Sequence, residues 1–252
     1  MKVVVCSPST KKYITDGDEY FIVTEPPKEN ILEKENMFND VIAIGGGAVL
    51  DVAKIVSKNP IECFPTTAAG SSDTIHSVYW DGERKMSKTC LMPKSVNVVK
   101  EYVDSLPEKV VFQTRCDLIS HCLDSLWSKN KNSESEFYAN KALDMISENN
   151  STHTLVEAGR LGGKAIQITT TNILHALSYP LTGRYNISHG LALSFLIPKI
   201  STFMGVTPPK LNYSESLGEV DWDWVIDEAF TYNKISECNK FIDKETIKKL
   251  IL

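Results

Sequence analysis

The chain of 252 residues lacks any long hydrophobic run. No stretch approaches the roughly 18 continuous apolar residues that a membrane-spanning helix requires, so we expect no membrane partner. The first ten residues, MKVVVCSPST, hold one lysine and a short apolar run before they turn polar. This pattern is more typical of a buried strand than of a secretion signal. We therefore expect a cytoplasmic protein.

Paired cysteines are also missing. The chain has six cysteines, and no two of them form a C-x-x-C motif. Scattered cysteines in a chain long enough to bury a sizeable core are typical of reduced, buried thiols in a cytosolic protein. We expect neither a disulfide framework nor a cysteine-based metal site.

Basic clusters are absent as well. The formal net charge is -5, and no basic run or alternation of basic and aromatic residues occurs. We therefore expect no nucleic-acid partner. The hydrophobic share of 42% and the charged share of 23% are those of an ordinary globular protein.

The first half of the chain alternates strand and helix signals. Short β-branched or apolar runs predict strands at KVVVC, YFIVT, DVIAIGGG and IECFPTT, and helical patterns occur at ILEKENMF and AVLDVAKIVSK. Such alternation predicts a parallel sheet with right-handed crossovers. The signals fade near residues 104–109, so we predict an α/β domain over residues 1–107.

The second half, residues 108–252, is predicted to be an all-α domain. Helical patterns occur at CDLISHCLDSLWS, SESEFYANKALDMIS, THTLVEAGRLGGKAIQI, SHGLALSFLIPKI, EVDWDWVIDEAF and ISECNKFIDKETIKKLIL. In the second of these, we expect Phe137, Leu143 and Ile146 to form the apolar face. We expect Pro198 to end the fourth helix.

Three consecutive glycines connect a predicted strand directly to a predicted helix. Gly45, Gly46 and Gly47 let the backbone turn sharply, and the following helix start offers unpaired N–H donors and partial positive charge. Together these features favour an anion site, most often for phosphate. The run matches neither G-x-G-x-x-G nor a Walker loop, so a turn that merely needs small residues explains it equally well. For the later segment FPTTAAGSSD, an ordinary polar loop is favoured over a cofactor contact.

Two pairs of polar residues suggest a metal site. Asp117 and His121 are four apart on a predicted helix and share a face, although a simple Asp–His hydrogen bond would explain that pair alone. His175 and His189 are separated by thirteen residues that include Pro180, Gly183 and Asn186. These breakers predict a turn, with one histidine on each of two elements. One aspartate and three histidines suit Fe(II) or Zn(II) with one open position. We interpret His76 and His153 as surface or structural residues.

At these residues the sequence resembles the iron-containing, group III alcohol dehydrogenase family. The resemblance rests on GGGAVLDVAK, PTTAAGSSD, DLISH and HALSYPLTGRYNISHG, in that order over residues 41–198. It implies a nucleotide-binding α/β domain followed by a helical domain, with Asp117, His121, His175 and His189 as metal ligands. It also implies that Gly45, Gly46 and Gly47 hold the cofactor pyrophosphate, with further cofactor contacts at Asp51, Thr66, Thr67 and Lys85. The acidic ribose contact of the family has no clear match in CSPS, where Ser7 would tolerate a 2′-phosphate, so NADPH is expected at least as much as NADH.

One branch of this alcohol dehydrogenase family resembles the chain more than its other branches do. The stretches DSLWSKNKNSESEFYANKAL and GKAIQITTTNILHALSYPLTGRYNISHG are similar to those of phosphonoacetaldehyde reductases, which make 2-hydroxyethylphosphonate. A phosphonate needs cationic and hydroxyl donors, so we expect Lys164, Arg184 and the hydroxyls of ITTT near the histidines. Ordinary solvated side chains explain Lys164 and Arg184 equally well. Tyr179 stands where the family has a further histidine, and we expect it to relay a proton.

The resemblance leads us to expect a metal-dependent, NAD(P)H-linked alcohol dehydrogenase or aldehyde reductase that acts on a small aldehyde or alcohol, with a homodimer as a family-level expectation. The chain departs from the family pattern in two ways. Ala48 replaces the family serine after the glycines, and the chain is shorter than typical members at both ends. Two alternatives therefore remain open. One is a metal-dependent lyase or cyclase like the dehydroquinate synthases, and the other is a shortened, inactive paralogue that only binds metal or nucleotide.

Overall fold

The structure is a computed structural model that describes residues 2–15, 19–207, 211 and 217–252. Five of its strands form one parallel sheet: β1 Lys2–Cys6, β2 Glu19–Ile22, β3 Asp40–Gly45, β4 Glu62–Pro65 and β7 Ser95–Val96. Their order in the sheet is β2-β1-β3-β4-β7. Cys6 pairs with Ile22 on one side and with Ile44 on the other. The predicted parallel sheet is therefore present, with a reversal of strand order between β1 and β3.

The sheet is covered on both faces because its strands are apolar on both. Val5 and Ala43 pack against helix α1, Gly47–Val56, in one core. Val4, Cys6 and Ile44 form a smaller cluster with Tyr13, Tyr102 and other side chains on the opposite face. Burial on both faces is the usual environment of a parallel sheet, because its crossover segments lie on both sides.

A two-stranded antiparallel hairpin, β5 His76–Asp81 and β6 Arg84–Thr89, stands apart from the sheet. We did not predict it, and β6 carries no β-branched residue before its last position. Asp81 pairs with Arg84, and Gly82, at φ 57° in the first position of the two-residue turn Gly82-Glu83, is the turn signal that would have indicated it. The turn packs on a helix, since a Cβ at Gly183 would lie 2.0 Å from the carbonyl oxygen of Glu83.

The rest of the chain is mainly helical. The helices are α2 Lys100–Val103, α3 Glu108–Leu126, α4 Ser133–Glu148, α5 Thr152–Thr169, α6 Ile173–Tyr185, α7 His189–Met204, α8 Trp222–Ala229 and α9 Lys244–Ile251. One core joins them, and Leu118, Leu155, Leu177, Leu193 and Ile247 are among its fully buried members. No described helix is long and apolar enough to cross a bilayer.

Several predictions about the helices were wrong. Pro198 lies inside α7, and Pro180 and Gly183 lie inside α6. Each proline removes one backbone hydrogen bond, but the apolar residues around it are buried in the core, so packing outweighs the local preference. Only Asn186, at φ 53°, ends α6 as expected.

Two further predictions need correction. Phe137 is 63% exposed, whereas Ala139, Ala142 and Ile146 form the buried face of α4. The last predicted helix is divided into a 3-10 turn, Ile235–Glu237, and α9, whose start is capped by Asp243. The predicted reduced thiols agree with the structure in that all six cysteines are free, five of them buried.

The sheet half and the helical half are joined by close backbone contact. A Cβ at Gly159 of α5 would lie 2.4 Å from Cα of Ala68, and one at Gly163 would lie 2.4 Å from the carbonyl oxygen of Gly70. The Thr114 hydroxyl accepts a hydrogen bond from the Ala68 amide at 2.6 Å. The segment after β4 is therefore held against α3 and α5. Every described strand precedes residue 97, and the division into two domains at residue 107 stays a prediction.

Candidate active site

A cavity of about 600 Å³ lies between the two halves. The sheet half contributes the start of α1 through Gly47, Ala48 and Asp51, the segment that holds Ser71, and the hairpin residue Lys85. The helical half contributes Asp117, His121, His175, His189, Tyr179 and Lys234, among others. Residues from many separate elements therefore meet in one space.

Four of these residues form a compact cluster. The Nε2 atoms of His121 and His175 each lie 3.5 Å from Oδ1 of Asp117, and Nε2 of His189 lies 3.4 Å from the same oxygen. Two ligand atoms bound at about 2.1 Å around a tetrahedral metal ion are themselves about 3.4 Å apart. The cluster therefore has the spacing of a metal centre, and ligand atoms of Asp117, His121 and His175 all lie within 4.8 Å of one another.

Hydrogen bonding within the cluster supports the same interpretation. Oδ1 of Asp117 and Nε2 of His175 are buried, and neither atom has a hydrogen-bond partner in the structure. Buried polar atoms without a partner are rare in proteins because their desolvation is unfavourable. A divalent cation between these atoms would satisfy both of them, so the residues fit the ion that the sequence predicted.

The protonation states fit a metal as well. Burial lowers the pKa of His121 to about 3, and burial together with nearby Lys85 lowers the pKa of His189 to about 4. Burial acts to raise the pKa of Asp117, but the three histidines hold it well below its usual range. Neutral imidazoles and an ionised carboxylate are the forms that bind metal ions.

Asp124 is a functional candidate that the sequence analysis missed. Its Oδ2 lies 2.8 Å from Nδ1 of His175 and accepts a hydrogen bond from the Asn172 amide at 2.9 Å. Its Oδ1 accepts from the Leu174 amide at 3.1 Å. The carboxylate thus turns Nε2 of His175 towards Asp117. A signal was present, because Asp124 follows His121 by three residues and lies on the same side of α3.

The glycine run lies where the strand order of the sheet reverses. Ligands of open α/β sheets bind outside the carboxyl ends of the strands at such a reversal. β3 ends at Gly45, Gly46 caps α1, and Gly47 faces the cavity. A Cβ at Gly45 would lie 2.6 Å from Val49, so this first glycine is required by packing. The run therefore serves both the turn and an open helix start.

Ser7 follows the neighbouring strand β1 on the same side of the reversal. Its hydroxyl lies 2.9 Å from that of Ser9 and 3.0 Å from that of Thr10. Thr10 in turn donates to the carbonyl of Ile44 at 2.7 Å, which ties this turn to β3. Residues 7–10 have no acidic side chain, so this turn contributes no carboxylate beside the end of β3.

Of the other predicted cofactor contacts, Asp51 lines the cavity and the two threonines do not. Asp51 lines the cavity, accepts from the Ser71 hydroxyl at 2.6 Å and pairs with Lys54 at 3.7 Å. Thr66 and Thr67 do not line the cavity. The side chain of Thr67 packs on Gly46, and the Thr66 amide donates to the carbonyl of Gly45. These two threonines therefore support the glycine run from outside.

Lys85 and Tyr179 lie beside the histidines. The Lys85 ammonium is 4.6 Å from the centre of the Tyr179 ring, which stacks on His189 with ring centres 6.1 Å apart. Burial raises the pKa of the Tyr179 phenol, more than a hydrogen bond with Thr171 lowers it. Tyr179 is therefore a neutral hydroxyl donor at the edge of the cluster.

Lys164 and Arg184 do not reach the cavity, so we correct the expectation that they lie near the histidines. Lys164 lines a separate cavity and lies 5.6 Å from the Tyr138 ring of α4. The Arg184 guanidinium is 4.2 Å from the Trp224 ring of α8. Their helices carry both side chains away from the cluster, and Lys234 supplies the second lysine of the cavity beside Lys85.

Comparison with known proteins finds a family that matches the part of the chain holding the aspartate and the three histidines. Residues 111–215 match the family described as "Fe-containing alcohol dehydrogenase family, C-terminal". The 4-hydroxybutyrate dehydrogenase of Clostridium kluyveri is 25% identical over 69% of this chain and 58% of its own length. The lactaldehyde reductase of Escherichia coli is 22% identical over 65% of this chain and 52% of its own length.

Over the matched residues the chain is similar to iron-containing alcohol dehydrogenases. It spans little more than half the length of those two relatives. Crystal structures with the same fold include an iron-containing alcohol dehydrogenase of Thermotoga maritima, with a TM-score of 0.80 and 21% identity. The sulfoacetaldehyde reductase of Bifidobacterium kashiwanohense in complex with NAD+ has a TM-score of 0.84 and 17% identity. Alignment to these two structures covers 99% of this chain and 90% and 89% of theirs, respectively.

Proposed function

We propose that the protein is a metal-dependent, NAD(P)H-linked aldehyde reductase that also oxidises the corresponding alcohol. The observation that supports this most is the position of the cluster of Asp117 and three histidines. It faces the same cavity as the start of α1, so one space offers ligands for a metal ion and N–H donors for a phosphate.

The side chains would divide the work as follows. Asp117, His121, His175 and His189 would hold Fe(II), with Zn(II) as the alternative, and Gly45, Gly46 and Gly47 would hold the pyrophosphate of the cofactor. The bound metal ion supplies Lewis acidity to the carbonyl oxygen, and the reduced nicotinamide supplies hydride. Asp124 keeps His175 oriented, and Asp51 keeps the cavity wall in place through Ser71.

The chain itself must also manage a proton and exclude water. Tyr179 is 5% exposed and lies between His175, His189 and Tyr232. Because burial keeps its phenol neutral, we propose that Tyr179 orients the hydroxyl or water that delivers the proton to the product oxygen. The surrounding aromatic rings keep bulk water from this side of the cluster.

The substrate and the cofactor form are also proposals. The names of relatives point to small aldehydes and alcohols, among them one with a carboxylate and one with a sulfonate. The sequence resemblance adds phosphonoacetaldehyde, which would yield 2-hydroxyethylphosphonate. Ser7 would allow NADPH as well as NADH, because it places no carboxylate there to repel a 2′-phosphate.

The direct test follows NAD(P)H absorbance at 340 nm with protein purified anaerobically with Fe(II). Short aldehydes, including phosphonoacetaldehyde, would be offered with each cofactor. We expect oxidation of the cofactor that disappears with a chelator and in His189→Ala, together with lower metal content in that variant. A folded protein that binds metal yet oxidises neither cofactor with any aldehyde would contradict the proposal.

A further inference from the structure

Lys234 is a cation in the cavity that no step described so far uses. It belongs to the segment between α8 and α9, and its ammonium donates to the Thr171 hydroxyl at 2.7 Å and lies 3.4 Å from that of Thr170. Both threonines also line the cavity, immediately before α6 and its His175. One ammonium and two hydroxyls are therefore concentrated beside the histidine cluster.

The charge of Lys234 is not compensated locally. Within the described part of the chain, neither Lys234 nor Lys85 forms an ion pair with a carboxylate. Burial lowers the pKa of Lys234 to about 8, partly offset by the more distant carboxylate of Asp124, and Lys85 lowers it further. Two half-buried ammonium groups that repel each other in one cavity are stabilised by an anion.

Lys234 and Lys85 differ in their charged neighbours. Lys85 interacts electrostatically with both Asp51, beside the glycine run, and Asp117 in the cluster. Lys234 instead interacts with Asp124, behind His175, and Asp51 is not among its charged neighbours. Lys234 therefore lies against Thr171 at the start of α6, beside the pair Asp124–His175, and we place the reacting molecule rather than the pyrophosphate there.

The backbone at Thr170 provides an independent observation. Thr170 has φ 61° and ψ 170°, a backbone conformation that residues other than glycine rarely adopt. Such strain is typically maintained at functional positions, because a stable fold can hold a residue where binding needs it. Here the strained residue places its hydroxyl in the cavity next to Lys234.

We propose that Lys234, with the hydroxyls of Thr170 and Thr171, binds a terminal anionic group of the substrate and selects short aldehydes that carry a carboxylate, sulfonate or phosphonate. This inference rests on the proposed reductase function, and it identifies the substrate class of the same site. A fixed ammonium with two flanking hydroxyls offers the charge-assisted and neutral hydrogen bonds that such an oxyanion accepts.

The first experiment compares the metal-loaded protein with Lys234→Gln and Lys234→Arg. Succinic semialdehyde, sulfoacetaldehyde and phosphonoacetaldehyde are the anionic substrates, and propanal is the neutral one. In Lys234→Gln we expect KM for the anionic aldehydes to rise by about tenfold to a hundredfold, the usual effect of losing a hydrogen bond to a charged group. We expect kcat/KM for propanal to change less than about twofold, because propanal offers no oxyanion. Lys234→Arg should recover most of the loss.

The second experiment needs no turnover. Calorimetry would measure the binding of sulfoacetate and phosphonoacetate, and fluorescence would measure the Kd of NADPH and NADH, in the same variants. We expect Lys234→Gln to weaken binding of both acids by a similar factor and to leave nucleotide binding unchanged. Lys141→Gln, an exposed lysine on α4, is the matched control and should behave like the unchanged protein.

The outcomes separate the two proposals. Turnover of propanal and the anionic aldehydes with equal efficiency, unaffected by Lys234→Gln, would overturn the anion site and keep the reductase. A weaker Kd for the nucleotide in Lys234→Gln, with acid binding unchanged, would assign Lys234 to the cofactor instead. No turnover of any aldehyde would contradict the reductase, and acid binding measured by calorimetry would then decide whether the anion site exists.

Discussion

Asp124 and His175 form a buried pair whose carboxylate and imidazole lie 2.8 Å apart. The same aspartate accepts hydrogen bonds from backbone amides at the start of α6, the helix that carries the histidine. One side chain of α3 therefore sets both the position of α6 and the direction of the imidazole. Such partners orient metal-binding histidines and raise their basicity.

We predict that Asp124→Asn weakens metal binding by about tenfold to a hundredfold, the usual effect of losing a carboxylate behind a ligand histidine. The substitution keeps the volume of the side chain but removes its charge. Dialysis against graded chelator concentrations, followed by metal analysis, measures the affinity. Asp144→Asn, at an exposed position of α4, is the control. Equal metal retention by the two variants would show that Asp124 has no part in binding.

The start of α1 provides a second prediction, about the nucleotide. Ala48 lies in the first turn of α1 and lines the cavity. A carboxylate in the first turn of a helix stabilises the helix, yet it would repel a pyrophosphate bound there. We therefore expect Ala48→Asp to bind NADPH and NADH at least about tenfold more weakly without a fall in Tm.

The control for this prediction is Ala48→Ser, which adds a hydroxyl of similar size without charge. Equilibrium binding followed by nucleotide fluorescence gives the affinity, and thermal denaturation gives the stability. Nucleotide binding that survives unchanged in Ala48→Asp would place the pyrophosphate away from the glycine run.

A third prediction concerns pH. Lys234 has a pKa of about 8 because burial outweighs the attraction of Asp124 and Glu237, while Lys85 lowers it further and His76 also faces this region. Below that pH its ammonium can bind an anion, and above it the neutral amine cannot. The kcat/KM for sulfoacetaldehyde should therefore fall above about pH 8, by about tenfold per unit.

Sulfoacetaldehyde suits this measurement because a sulfonate stays ionised throughout the range, so the titration belongs to the protein. Propanal should lack the alkaline decline, and Lys234→Arg should remove it for sulfoacetaldehyde, since a guanidinium does not deprotonate in this range. The same decline with propanal would assign the titration to another group.

A fourth prediction tests the junction of the two halves. A Cβ at Gly159 would lie 2.4 Å from the backbone of Ala68, so Gly159→Ala must push α5 away from the segment after β4. We expect it to destabilise the protein by about 1–3 kcal/mol. At a helix position without this contact, the same change would stabilise by up to about 1 kcal/mol, so the sign is informative. Chemical denaturation measures it, with Lys141→Ala as the exposed control.

Local patterns in the sequence predicted much of the sheet half. The strand that ends at Gly45 and the helix that starts at Gly47 were predicted because apolar runs, glycines and helical spacing are properties of adjacent residues. The hairpin that carries Lys85 was missed because β6 is mostly polar and gains its place by pairing with β5 and packing on α6.

A metal site was predicted from the types and spacing of Asp117, His121, His175 and His189, together with a family resemblance. The structure brings these four side chains together. The cations were not predictable in this way. Lys164 is close to the histidines along the chain but lies in another cavity, whereas Lys234 is distant along the chain and lies in theirs.

Residue order alone therefore specifies which side chains can bind a metal ion and where strands and helices begin, because these depend on chemistry and on near neighbours. Only the tertiary structure decides that Asp124 lies behind His175 and that Lys234 lies beside Thr171. The physical reason is that the packing of the shared helical core sets the direction in which each helix and loop presents its side chains. That packing is the joint result of residues far apart in the chain.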